Sequence, residues 1–483
     1  MEPILELNHV LHIGMIDADA FDQFKAQQEA YFKRYHTVFW DSEGYAKKRV
    51  QFRGEALDEW ISPQKIEGNN IKRLQTFLQK HGFMPGARID GIFGYWTLAS
   101  VRLFQEYIRT IEGINEVGIP DGKVFKGTHQ HMLRWEEQKL YAKWGPNKVS
   151  ETDPKAYEWT TSTPEYDLWM ALLEKTKAHY LALQQAAPED SDDLEVFQLR
   201  ELEKYANPTD TRKIADWTFD RKEIHLIGLR CQHEKEALER GNDDLFVLLM
   251  NGMVFKFWGS TDPRPKVSLA NEPYLIEGQH KYRLAWHKVK SAGKKVYKAL
   301  RPYDHGVLVY RDWNQDNALS DEDIRKGLSF NPTPRIKELN NPNTTINIHW
   351  TFDGQTNWSA GCQVISGRSY VNNMGEIINC STFSAGSYET LSFMTQKGFR
   401  RNCGAYTFLS DFVFAYGPPN TDHVVYTLGR DGLIEQLADN TLLDLLVSQR
   451  VLKHLKKEES GREAFLQDLV SLLKKPSLLE GLA

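Results

Sequence analysis

Residues 69–110 read NNIKRLQTFLQKHGFMPGARIDGIFGYWTLASVRLFQEYIRT, and their spacing dictates a local architecture. Ile71, Leu74 and Leu78 recur at three- and four-residue intervals, which places them on one face of a helix. Gly82 and Pro85 stop that helix, and Val101, Phe104 and Ile108 repeat the pattern. Two short helices therefore flank a glycine-rich turn. Gly91 and Gly94 permit tight backbone turns there, and Thr97 is placed to cap the second helix. A further turn, Asp121-Gly122, precedes KGTHQHMLRWEEQ, which reads as the last helix of the same unit. His129 and His131 within it point about 200° apart on a helix, so they read as solvated residues rather than as a metal pair.

The register of these residues resembles the peptidoglycan-binding domain of the small three-helix type. That pattern is a Leu-Gln pair, a Gly, Asp-Gly, Phe-Gly, Thr, Ala, Val and Phe-Gln. The chain supplies Leu74-Gln75, Gly82, Asp90-Gly91, Phe93-Gly94, Thr97, Ala99, Val101 and Phe104-Gln105. The resemblance implies a helical module over residues 66–140 that binds peptidoglycan.

Working outward, the chain has 483 residues, 41% hydrophobic and 26% charged, enough for about three domains with buried cores. Lys and Arg total 60 against 65 Asp and Glu, and a balance of −5 supplies no overall drive toward nucleic acid or an anionic membrane. The longest apolar run, Leu245 to Met250, is broken at Asn251, far short of the roughly 20 residues that span a bilayer. The opening MEPILELNHVLHIGMID lacks a basic stretch and does not read as a secretory signal, so the expectation is synthesis in the cytoplasm. Cys231, Cys362, Cys380 and Cys403 are too few and scattered for a disulfide scaffold, and no CxxC pair suggests zinc.

The expected organisation is α+β and multidomain. Residues 1–65 form a helical N-terminal region of unassigned task, around the aromatic run QQEAYFKRYHTVFW. After the module, residues 141–219 are rich in Glu, Gln, Lys and Leu, and read as a helical connector. The runs LFVLLMNGMVFKFWG, KYRLAWHK and GVLVYRDW then mark a mainly β domain over 220–430. Residues 431–483 return to helix, with Leu445, Val451, Leu452, Leu455, Phe465, Leu469 and Leu472 on apolar faces. Packing against the β domain is the plainer role for this tail, and docking to a secretion carrier the alternative.

Chemistry concentrates in residues 346–369, INIHWTFDGQTNWSAGCQVISGRS. A strand around His349 is followed thirteen positions later by Cys362, in the small-residue turn Ser359-Ala360-Gly361-Cys362. A thiol of ordinary pKa near 8.5 needs an imidazole neighbour to be mostly thiolate at neutral pH, so these residues read as nucleophile and base. Gly361 lets the backbone approach a reacting carbonyl, with the Cys362 amide toward the oxyanion.

This string resembles the catalytic motif of the L,D-transpeptidase family, a His followed within one loop by Ser-x-Gly-Cys. The resemblance implies Cys362 as nucleophile, His349 as general base and acid, and Ser359 as a turn-stabilising group. Members of that family have Gly after the His and Arg two residues after the Cys, where this chain has Trp350 and Val364. Substrate contacts are therefore expected from Trp350, Gln363 and Arg368, with Lys288 or Arg301 as other stand-ins for the arginine. Implied substrates are peptidoglycan stem peptides, attacked to form a thioester. An amine then gives a cross-link, a free D-amino acid gives exchange, and water gives hydrolysis. The altered motif favours hydrolysis, no cofactor is required, and a specialised exit such as type VI secretion or phage lysis is expected, with an immunity protein as partner. Two rivals remain: a non-catalytic wall-binding adaptor, and a glycan-cleaving enzyme using paired carboxylates.

Asp312, Asn314, Asp316, Ser320 and Asp323 occupy positions 1, 3, 5, 9 and 12 of an EF-hand-like loop, with Asn317 at the usual glycine. They read either as a structural calcium site or as a solvated acidic turn. Lys288, Lys290, Lys294, Lys295, Lys298 and Arg301 read as a solvated basic hairpin that is also able to meet stem-peptide carboxylates.

Overall fold

The helices read from residues 69–110 are present in the structure, a computed structural model that describes residues 9–26, 63–84, 89–142, 162–231, 242, 244–263, 272–287, 297–316, 318–328, 341–351, 359–384, 402–420 and 423–446. Helix α1 (Asn70–Lys80) buries Ile71, Leu74 and Leu78, and α2 (Tyr95–Thr110) buries Val101, Phe104 and Ile108. Helix α3 (Lys126–Glu137) adds Met132 and Trp135 to the same core.

Two glutamines hold this module in the same way. The Gln75 amide donates to Asp90 Oδ1 (2.8 Å), Ile92 O (3.0 Å) and Thr97 Oγ1 (3.2 Å), while its oxygen accepts from the Asp90 and Gly91 amides. Gln105 repeats the clasp on the second Asp-Gly turn, donating to Lys123 O and Thr128 Oγ1 and accepting from the Gly122 amide. Both turns need left-handed backbone, with φ of 77° at Gly91 and 78° at Gly122. Thr97 thus serves the clasp, and Gly94 occupies the N-cap position for which Thr97 was expected.

The described N-terminal segment, residues 9–26, joins this module and is helical over 18–26. Strand β1 (Met15–Asp17) pairs in parallel with β2 (Gln64–Ile66). The buried Asp17 carboxylate accepts from the amides of Ile71 (3.0 Å) and Lys72 (2.9 Å), satisfying orphan donors at the start of α1.

The connector is helical, as expected: α4 (Pro164–Ala186) and α5 (Leu194–Tyr205). It is not a spacer, because both helices lie on the β domain. That domain comprises β3 (Ile224–Arg230), β4 (Asp244–Met250), β5 (Met253–Ser260), β6 (Pro273–Leu275), β7 (Gly278–His287), β8 (Tyr297–Pro302), β9 (Val309–Arg311), a short α6 (Asp321–Arg325), β10 (Ile348–Trp350), β11 (Gln363–Asn372), β12 (Ile377–Asn379), α7 (Gly404–Asn420) and β13 (Val424–Arg430). The strand order β10-β8-β7-β13-β3-β4-β5-β11 closes into an eight-stranded barrel because β10 also pairs with β11. Only β13/β3 and β10/β11 are parallel pairs within it.

Alternate side chains divide between two cores, as the period of a strand requires. Phe246, Phe257, Tyr282 and Tyr426 belong to the inner set, whereas Ile227, Leu229, Val247 and Leu249 face Tyr166, Trp169 and Leu173 of α4. Helix α8 (Asp431–Leu437), with Leu442 and Leu446, covers the same outer face. This is the packing role expected of the tail up to Leu446; Val451, Leu452, Leu455, Phe465, Leu469 and Leu472 lie outside the described residues.

The apolar helix α7 joins the barrel to the N-terminal module. Phe408 stacks on Tyr370 of β11 at 3.8 Å, and the Tyr406 hydroxyl donates to Ile348 O. On its other side, Asp411 receives Arg102 of α2 and Lys298 of β8, so Lys298 is a buried ion-pair residue rather than part of a solvated basic run. Arg109 of α2 pairs with Glu376 at 2.7 Å, and Glu106 of α2 accepts from the Tyr370 hydroxyl.

Glu106 is wholly enclosed, and burial pushes its carboxyl up from 4.5 to about 7. Because the folded-state value is the higher one, the stability this group contributes is complete below about pH 4.5 and is lost as pH rises through about 7. Glu106→Gln should therefore gain stability over the parent as pH is raised from 5 to 8, by at most about 3 kcal/mol. Melting curves across that range test it, and a pH-independent difference between the two proteins would contradict it.

Candidate active site

The short parallel pair that closes the barrel also builds the site. Its register sets Ile348 against Gln363 and His349 against Val364, and the Gln363 amide donates to Asn347 O at 2.9 Å. Asn347 and Cys362 are thereby neighbours at the head of the pair. The Asn347 backbone amide lies 3.4 Å from Cys362 Sγ and its side-chain Nδ2 3.8 Å away, while the thiol donates to Thr345 O at 3.3 Å. Cys362 is half-buried, as are His349 and His287.

Imidazoles gather on the far side of Asn347. His287, at the end of β7, has its Nδ1 2.8 Å from Asn347 Nδ2. Its ring stacks on His349 with centroids 4.8 Å apart and planes 23° from parallel. His349 Nδ1 lies 2.7 Å from the carbonyl oxygen of Trp350, and Tyr297 borders both imidazoles with ring centroids 5.1 and 5.8 Å away. The result is one continuous group from Thr345 through Cys362, Asn347 and His287 to His349. Cys362 and His349 were expected from the sequence; Asn347 and His287 were not. Asn347 lies inside the string that drew attention, but His287 is 75 positions from Cys362 in sequence and reaches the site only through sheet pairing.

The turn before Cys362 is sterically defined. Gly361 has φ of 132°, and a Cβ there would come within 2.5 Å of Pro273 Cγ. Ser359 is buried in the same turn, consistent with a structural place beside the thiol. Two residues expected to touch substrate face elsewhere. Trp350 packs in the core and offers the site only its backbone carbonyl. Gln363 is fully buried, its amide facing the Tyr426 hydroxyl across the barrel interior. Arg368 is exposed in the bulge where the β11/β5 register shifts, about 20 Å along the strand from Cys362 at the usual rise per residue. Arg301 is half-buried on β8, and Lys288 lies outside the described residues.

Cys380 and Cys403 are buried, and Cys231 is half-buried at the end of β3. In the acidic loop, Asp312, Asp316 and Asp323 each place one carboxylate oxygen within 4.8 Å of the others, an oxygen set of the kind calcium takes. Asn314 instead donates to Asp316, and Ser320 caps α6 in a capping box with Asp323. Asp323 also accepts from the Trp313 amide at 2.7 Å.

Residues 67–109 match the family model described as "Putative peptidoglycan binding domain". The matched stretch contains α1, the first glutamine clasp and nearly all of α2, the helix welded to the barrel. No curated protein and no solved structure matches the chain. The chain thus carries a peptidoglycan-binding domain, which points to association with the cell wall, and no helix among the described residues is long and apolar enough to cross a membrane.

Gly361→Ala must either shift Pro273 or twist the turn, and it also forces a left-handed backbone on a side chain. A loss of about 1–3 kcal/mol is expected, together with a changed rate of Cys362 alkylation. Unchanged melting and unchanged alkylation would show that the turn does not constrain the thiol.

Proposed function

We propose that the chain is a peptidoglycan-modifying cysteine enzyme that attacks stem-peptide amides through Cys362. The observation that carries this reading is the half-exposed thiol facing two N–H donors of Asn347, behind which His287 and the stacked His349 stand, in a chain that also holds a peptidoglycan-binding domain.

In this reading His349 takes the thiol proton, and the thiolate attacks the amide carbonyl carbon. The carbon–nitrogen bond breaks, the departing amine takes the proton from the imidazolium, and the acyl group remains on sulfur as a thioester. Water then gives up a proton to the imidazole and attacks the thioester, releasing the acid and returning the proton to sulfur. Net hydrolysis, as an L,D-carboxypeptidase or endopeptidase, is favoured over cross-linking. Val364 is buried at the position where the L,D-transpeptidase resemblance expects an arginine, so that position supplies no cation to hold an acceptor carboxylate. An acceptor that is not prepositioned loses its advantage over water at about 55 M. Acting from the periplasm, such an enzyme would weaken the wall, which is the behaviour of an antibacterial effector.

Muropeptides chromatographed before and after exposure should show shortened or opened stems with the parent and none with Cys362→Ala, whose melting should match the parent. New cross-linked dimers would make the enzyme a transpeptidase, new reducing ends a glycosidase, and full activity in the alanine variant would end the thiol reading. The Cys362→Ala chain should also be retained by isolated sacculi, and elution with an unrelated control protein would show that the domain match carries no wall affinity here.

A further inference from the structure

Asn347 has a second relation to the site that its place beside the sulfur does not require. Its side chain is almost fully enclosed, and its Nδ2 faces both Cys362 Sγ and His287 Nδ1. An amide nitrogen carries two hydrogens and accepts none, so the partners it faces must be acceptors. His287 is then neutral at Nδ1 and holds its hydrogen on Nε2. His349 is fixed the opposite way. Its Nδ1 faces the Trp350 carbonyl, which only accepts, so Nδ1 carries the hydrogen and Nε2 keeps its lone pair. Two imidazoles 4.8 Å apart thus present opposite chemistry, one a base and one an N–H donor.

We propose that Asn347 and His287 are positioning residues for Cys362: Asn347 supplies hydrogen bonds to the thiolate and, through its other N–H, holds His287 as a second imidazole that donates from Nε2 beside the basic His349. The inference rests on the thiol chemistry proposed above and extends it to residues from β7 and the head of β10. Among the described residues, the Thr345 carbonyl, both Asn347 donors and the Tyr282 phenol, which feels the Cys362 charge from β7, bear directly on the sulfur's ionisation, while His287 and His349 stand behind Asn347.

The first test needs no turnover. In the full chain with 15N-labelled histidine, long-range nitrogen–proton correlations should assign the Nε2–H tautomer to His287 and the Nδ1–H tautomer to His349. Finding Nδ1–H on His287 means that the Asn347 carbonyl faces it, and overturns the proposal. The second test is the pH profile of Cys362 alkylation by iodoacetamide, read by mass spectrometry of the Cys362 peptide. Asn347→Leu should move its midpoint up by about one unit, because donors to a thiolate are lost. His287→Phe, which keeps an aromatic ring for stacking, should leave that midpoint within about 0.3 unit while lowering kcat on stem peptides at least about tenfold with little change in KM. A profile for Asn347→Leu superposed on the parent's, or full turnover in His287→Phe, would sink the corresponding half. Should Asn347→Leu fail to fold, the tautomers of the parent still decide the question. A parent with the expected tautomers and no effect on muropeptides retires the stem-peptide reading and leaves the positioning pair standing, whereas an active parent with the reverse tautomer does the opposite.

Discussion

The pairing of β10 with β11 is the constraint on which the barrel and the site both depend. Closure removes the two open edges that a sheet of this size would otherwise expose. It does so with a parallel pair in a mainly antiparallel barrel, and parallel neighbours need a connection that returns to the same end. β10 is only three residues long, about 10 Å, so a return of about a dozen residues suffices. The thirteen-position spacing of His349 and Cys362 is therefore the length of that return. With Ile348 opposite Gln363, Cys362 arrives beside Asn347, and a slip of one residue would turn the sulfur to the other side of the sheet.

A second consequence concerns how the peptidoglycan-binding domain is carried. Helix α2 has apolar contacts on its module side and Arg102, Glu106 and Arg109 on the barrel side, each meeting a partner on α7, β11 or the turn after β11. Buried charges of this sort contribute little net stability, because desolvation offsets most of their attraction, but an unmatched orientation would leave them uncompensated. The two ion pairs of Arg102 and Arg109, with the Glu106–Tyr370 hydrogen bond, therefore select one mounting of the module. A wall strand bound to it would be held at a fixed distance from the barrel, not at the end of a flexible linker.

The sequence revealed what local chemistry encodes. Gln75, Asp90-Gly91 and the helical spacing of Ile71, Leu74 and Leu78 were legible because each acts within one small unit. So was the β character of the run LFVLLMNGMVFKFWG, which forms β4 and β5. Helix α7 was not, because it is buried among the barrel, α2 and the turn after β12, and so lacks the polar face that marks a helix; its many aromatics read as strand. Trp350 and Gln363 were assigned to substrate because they adjoin His349 and Cys362 in sequence. In strands, adjacency means the opposite, since successive side chains alternate faces, and both residues are turned into the core by the same pleat that presents His349 and Cys362. His287 was hidden for a different reason: its partner strand and register exist only once the sheet is assembled.

Cys362 is also fixed from outside the pair. Pro273 begins β6 and stands so close to Gly361 that no side chain fits between them. β6 pairs with β9, and the acidic loop starts directly after β9, where the Asp312 amide donates to Glu272 O at 3.1 Å. The loop, the small ribbon and the turn before Cys362 therefore form one mechanical path. On one side of the thiol the backbone is set by the pairing with β10, and on the other by contact with Pro273. A site built this way keeps its sulfur at a defined height above Asn347 without help from the residues that flank it in sequence, which frees Trp350 and Gln363 to serve the core.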